Sequence, residues 1–329
     1  IAAYKTESAD LSIFGVLYAE WQRGSNERHD DDPESNSYGI SLDIKSLPEL
    51  FNLVNLHVQQ IQNDEVYCAE TTTDGGACDT SAGQASVLPQ FSNLRYGAVI
   101  AGEFQALDFH LNYEAEQGTT RLDSLEGDIN ASMYQAELGL SFPETMNTRF
   151  YVLFHSDTGD NNGNVGGDGI ADTSNDDLTR QRYDGFFYEQ HRNAGLMDIL
   201  AWGNLTYYSA GFTMEPMSDL FFGVHYHAFS RTTADDSVQF QGVNTGFNGV
   251  GNGSLLSGGY SAAADTEEEL EIGQEIDVII TQKYDGGFAL TGQAGVFLPG
   301  AHLKNAEATV DEPIEEAYSL LMIEGRMTF

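Results

Sequence analysis

Leu107-Asp-Phe-His-Leu-Asn-Tyr-Glu-Ala-Glu-Gln117 alternates without a break. Leu107, Phe109, Leu111, Tyr113 and Ala115 fall on one face of a strand, and Asp108, His110, Asn112, Glu114 and Glu116 on the other. Successive side chains of a β-strand point to opposite faces, so a period of two separates an apolar face from a charged one. Only Gln105 and Ala106 separate this stretch from a second amphipathic segment, residues 94–104. Two strands joined so tightly form an antiparallel hairpin.

Working outward, the same pattern recurs at 10–23, 38–46, 51–62, 132–142, 148–156, 200–214, 219–231, 269–283, 287–298 and in a terminal segment, 317–329. The connections come in two kinds. Tight turns lie at Pro48, Gln105-Ala106, Pro143–Asn147, Glu215–Ser218 and Asp285–Gly287, and long polar loops lie between them. A transmembrane barrel has short periplasmic turns and long external loops, and a soluble sandwich has no reason to sort its connections so. In the terminal segment Leu321, Ile323, Met327 and Phe329 share one face, and Tyr318, Glu324, Arg326 and Thr328 the other. A closing amphipathic strand with a terminal aromatic resembles that of bacterial outer-membrane barrels. The expectation is an all-β fold: one antiparallel transmembrane β-barrel over residues 1–329, of about 12 strands with 14 to 18 as alternatives. An even count puts both termini on one side, with residues 1–9 a periplasmic N-terminal segment. Ile276, Val278 and Ile280, together with Ile272, should face lipid, as should Leu107, Phe109 and Leu111.

Composition agrees with a barrel. No run of about 18 apolar residues exists to form a transmembrane helix. The average hydropathy is that of a soluble protein, as expected where lumen-facing polar residues alternate with lipid-facing ones. Gly 35, Tyr 16 and Phe 19 against Pro 7 suit a sheet with aromatic girdles and Gly-rich loops. The chain opens at Ile1 with no basic region leading into an apolar stretch, so an export signal is expected to have been removed. The location expected is the outer membrane of a Gram-negative bacterium, with membrane lipid and lipopolysaccharide as surroundings. Fifty-one acids against 14 bases give a net charge of -37. Nucleic acid and anionic lipid both require basic patches and are disfavoured as partners.

The inward positions carry the candidate chemistry. They are Asp43, Asp108, Glu114, Glu137, His225, His227, Glu271, Glu275, Asp277, Glu324 and Arg326, with Glu116 beside them. Rings of acidic side chains draw cations into a pore. The alternative is that these charges pair with Arg95, Arg149 and Arg326 across a lumen filled by side chains. Cys68 and Cys78 lie in a polar stretch, and in an oxidising compartment they are expected to form a disulfide in an external loop. The acidic stretch from Asp157 to Asp177 places Asp157, Asp160, Asn164, Asp168 and Asp172 where a calcium loop would use oxygen ligands, although Gly166 breaks the register. A flexible acidic surface loop is the other reading. No Gly-x-Ser-x-Gly and no Ser–His pair picked out by spacing points to catalysis, so the expectation is a non-enzyme with no required cofactor, Ca2+ being the one candidate.

Four stretches carry a family resemblance: Asn204–Pro216, Asp219–Phe229, Ile272-Gly-Gln-Glu-Ile-Asp277 and Ala294-Gly-Val-Phe-Leu-Pro-Gly300. They resemble the alginate-export family of outer-membrane porins. In that family a Gly-x-Glu-hydrophobic-Asp strand precedes a hairpin partner ending in Phe-x-Pro-Gly, which implicates Gly273, Glu275, Asp277, Phe297, Pro299 and Gly300 by position. The resemblance implies a barrel channel. The family's polysaccharide exporter has an arginine-lined lumen, and 14 bases in the whole chain do not suit a polyanionic cargo. Passive diffusion of small neutral or cationic solutes is therefore expected. The alternative is a closed structural or surface-interaction barrel, with envelope proteins or further copies of itself as partners.

Overall fold

The computed structural model describes residues 2–7, 12–22, 35–44, 50–63, 67–68, 87–88, 90–122, 125–159, 165–166, 170–171, 179–183, 194–197, 200, 203–234, 270–305 and 316–328. One antiparallel sheet of 13 strands, each paired with its neighbour in sequence, accounts for most of them. The strands are β1 (Ala2–Glu7), β2 (Ser12–Gln22), β3 (Ser35–Ile44), β4 (Phe51–Asn63), β5 (Gln90–Phe104), β6 (Leu107–Leu122) and β7 (Leu125–Phe142). They continue with β8 (Thr148–Asp157), β9 (Leu205–Met217), β10 (Leu220–Arg231), β11 (Glu271–Tyr284), β12 (Phe288–Pro299) and β13 (Tyr318–Met327). A short helix, α1 (Ala301–Asn305), follows β12. Among the described residues no helix is long and apolar enough to cross a membrane.

The turns explain the meander. Gln105 takes a φ of 57° between β5 and β6, and Met146 and Asn147 take 53° and 50° between β7 and β8. Gly286 and Gly287, at 88° and 82°, turn β11 into β12, in the left-handed region that tight hairpins use. Twelve strands were expected. The thirteenth is β1, which lies within the segment expected to precede the barrel and pairs with β2, Ala2 opposite Leu17. With an odd number of strands the two edges, β1 and β13, run in the same direction, which removes the parity argument for both termini lying on one side. Among the described residues no pairing joins β1 to β13.

Two other expectations change. Residues 118–131 were expected to be a loop, but β6 and β7 stay paired to Leu122 opposite Leu125. Residues 200–204 were expected to be strand, but β9 begins at Leu205, after Gly203 and Asn204 turn at φ 108° and 59°.

The outer face is an apolar belt. Leu107, Leu111, Leu138, Val152, Ile276, Ile280, Leu321 and Ile323 are exposed on it. Aromatic rings run in contact along two rows. Tyr134 lies 5.6 Å from Phe154, which lies 4.9 Å from Tyr208; nearer the tight turns, Phe142, Phe150 and Phe212 follow one another at 6.4 and 5.0 Å. Apolar bands edged by aromatics are what a strand wall presents to lipid.

The core lies on the inner face at the end bearing the long loops. Met133, Leu153, Tyr207, Phe229, Ile272 and Phe297 come from the wall; Tyr183, Ala194, Met197 and Leu200 come from the connection between β8 and β9; Leu303 comes from α1. Pieces of that long connection therefore pack against the inner face of the sheet at this end.

Candidate functional site

β11 holds the centre of the site. A bulge sits at its start: Phe229 faces Gly273 and Ser230 faces Glu271, leaving Ile272 without a partner. A bulge inserts one residue and turns it off the alternation. Ile272 consequently points into the core, fully buried, rather than towards lipid as expected. Glu271, expected to line the pore, lies opposite outward-facing Ser230 and is exposed. After the bulge the alternation resumes, and Glu275 and Asp277 point inward as expected, both buried.

The two carboxylates meet backbone rather than one another's counter-ions. Met197 N–H donates to Glu275 Oε1 at 2.8 Å, and Leu196 N–H donates to Asp277 Oδ2 at 3.0 Å. Gly195, at φ 92°, approaches so closely that a Cβ there would lie 2.7 Å from the Glu275 carboxylate. The neighbouring strands complete the site. Ser209 lies 2.6 Å from His227 Nδ1, and His227 Nε2 lies 3.5 Å from Asp277. Gly273 admits the Phe297 ring, whose Cζ would lie 2.6 Å from an added Cβ. Gly300 N–H donates to Ile272 C=O at 2.7 Å, which ties the end of β12 to the bulge.

Strands β6 and β7 receive an earlier part of the same connection. Arg180 N–H donates to Asp128 C=O at 2.7 Å, and Asn130 N–H donates to Arg180 C=O at 2.9 Å. The Arg180 guanidinium reaches Glu116 at 3.1 Å. Tyr183 donates its hydroxyl to Glu114 at 2.5 Å, and Arg95 pairs with Glu116 through Nε at 3.1 Å and through Nη2. Arg95, Glu114, Glu116 and Tyr183 are buried, and Arg180 is partly buried. Asp157 closes the connection at its root, accepting from Leu205 N–H at 2.7 Å, Gly203 N–H at 3.2 Å and His155 Nε2 at 3.1 Å. Asp157 is thus filled by protein donors; Asp160, Asn164, Asp168 and Asp172 lie outside the described residues, as do Cys78 and Phe329. Cys68 is the last residue of a two-residue strand, Tyr67–Cys68, paired with Val87–Leu88.

At the tight-turn end the inner face is half-open. Arg149 bridges Asp108 and Glu137, each at 2.5 Å through Nη2, and Ser141 donates to Asp108 at 3.1 Å. Tyr151 OH and His225 Nδ1 lie 2.6 Å apart just above. Asn55 donates to Asp43 at 2.6 Å. Glu324 and Arg326 are exposed on β13, opposite Thr291 and Ala289.

A sequence profile described as alginate export matches residues 57–314. The chain belongs to the alginate-export family. No curated protein matches the chain. The motif by which the family resemblance was read, Gly273 to Asp277 with Phe297 to Gly300, is the place where the infolded connection docks. Glu114 and Glu116 were read as inward and Arg95 was named as a pairing partner in the alternative, but Arg180 and Tyr183 were missed, because they lie in a stretch with no periodicity. Of the titratable groups outside the strands, His302 of α1 is held neutral: burial, and then the charge of Arg231, push it down to about 4.

Proposed function

We propose that this member of the alginate-export family is an outer-membrane channel for passive diffusion of small neutral or cationic solutes, with its long loops outside the cell. One observation carries the reading. At the tight-turn end, Asp108 and Glu137 share a single guanidinium and stay partly open to solvent on the inner face, while the outer face of the same strands is apolar. Two carboxylates on one arginine leave a net negative charge in a low-dielectric passage, which raises the local concentration of cations. A net charge of -37 works against polyanionic cargo in the same sense. Conduction across a planar bilayer in a KCl gradient tests it: the reversal potential should report cation preference, and anion preference would overturn the reading.

The filling of the long-loop half favours a second reading, a closed barrel with a structural or surface role. A protein that inserts, folds and never conducts would support it.

A further inference from the structure

Glu275 and Asp277 were expected to select ions, yet both are buried and engaged by the Gly195–Met197 backbone. We infer that they are positioning residues: they dock the Ala194–Met197 turn on the lumen wall and thereby set the width of the passage. This rests on the channel reading proposed above.

Two carboxylates at i and i+2 share one face of a strand and repel one another. Burying them is costly unless each gains donors. Consecutive backbone N–H groups of a turn make a concave anion site, and Leu196 and Met197 supply such a pair. The fit depends on Gly195, whose φ of 92° and missing Cβ let the backbone reach Glu275. Met197 then packs its side chain beside Gly295, where an added Cβ would lie 3.0 Å from Met197 Cγ. Docked, the carboxylates bind amides; were the turn to leave its posts, carboxylates and amides would bind water, and the passage at this level would be wider.

Three variants separate docking from ion selection. Glu275→Gln with Asp277→Asn replaces both carboxyls by amides but keeps an acceptor oxygen at each post. Glu275→Ala with Asp277→Ala removes charge and acceptor. Gly195→Ala changes no charge and pushes the turn off its post. Single-channel conductance and the size limit for neutral polyethylene glycols should rise severalfold in Gly195→Ala and in the double Ala variant. The Gln/Asn variant should stay near the parent. Gly195→Ala behaving like the parent, or Gln/Asn matching the double Ala variant, overturns the inference. Hydrogen exchange at the Leu196 and Met197 amides is read in parallel on protein whose heat-shifted gel migration shows it folded. Loss of protection in the double Ala variant supports the posts, and retained protection overturns them. If neither parent nor variants conduct, the channel reading fails, while the exchange data still decide whether the posts hold the turn.

Discussion

Two arginines on the same inner face lead different lives. Arg95 pairs with Glu116 at 3% and 0% side-chain exposure, beside Glu114, Arg180 and Tyr183. Arg149 pairs with Asp108 and Glu137 at 28%, 29% and 22%. Both are arginine–carboxylate pairs, although Arg95 faces Glu116 directly on the adjacent strand and Arg149 reaches Asp108 across β7. What differs most is the infolded connection, which covers the first cluster and, among the described residues, does not reach the second. Where chain covers the wall, a charge pair becomes framework, because neither partner can return to water without unmaking the fold. Where it does not, the pair stays in contact with solvent and remains able to act on whatever passes.

The largest effect that could break this comparison is at Arg95. Arg95→Met takes from Glu116 the more buried of its two guanidinium partners and leaves it Arg180, and removing one partner of a buried pair is expected to cost about 3–5 kcal/mol. Urea unfolding followed by gel migration measures it; a loss under about 1 kcal/mol would place Arg95 among ordinary surface pairs.

Arg149→Gln should cost much less, about 1 kcal/mol or below for a solvent-screened network. Its effect should appear instead in ion choice, with cation preference strengthened as Asp108 and Glu137 lose their counter-ion. A large stability loss with unchanged reversal potential would show that the two clusters do the same job.

The smallest expected effect is local. His302 is neutral in the fold to about pH 4 and takes up a proton near 6.5 when free. Below 6.5 the undocked state binds a proton that the docked state refuses, so α1 docking weakens as pH falls from about 6.5 towards 4. Hydrogen exchange of α1 should quicken over that window, while β11 stays protected. No change in α1 would mean that His302 is hydrated when the helix is docked.

The wall was legible because its two faces differ in polarity at every second residue, and Leu107–Gln117 is the clearest example. Reading strict alternation through residues 271–273 is what misplaced Glu271 and Ile272, since a bulge adds one residue without any change in composition that announces it. β1 escaped because Ala2–Glu7 has no clean alternation. The hairpin above Glu116 escaped because Thr119, Arg121, Asp128 and Asn130 make its outward face polar, as suits a strand standing in water. The inward direction of Glu275 and Asp277 was readable from β11 alone. Their partners were not, because amide donors at Leu196 and Met197 look the same in every sequence, and they act across a separation of about 80 residues.

The bulge also governs depth. By turning Ile272 inward it puts Glu271 on the outer surface, next to Gln274, whose amide reaches it at 3.4 Å. Ile276, exposed on the same surface, begins the apolar stretch below. A carboxylate facing hydrocarbon would have no partner for its charge. Were the sheet seated in a bilayer, it would settle only until Glu271 met the water layer, and the bulge would act as its waterline.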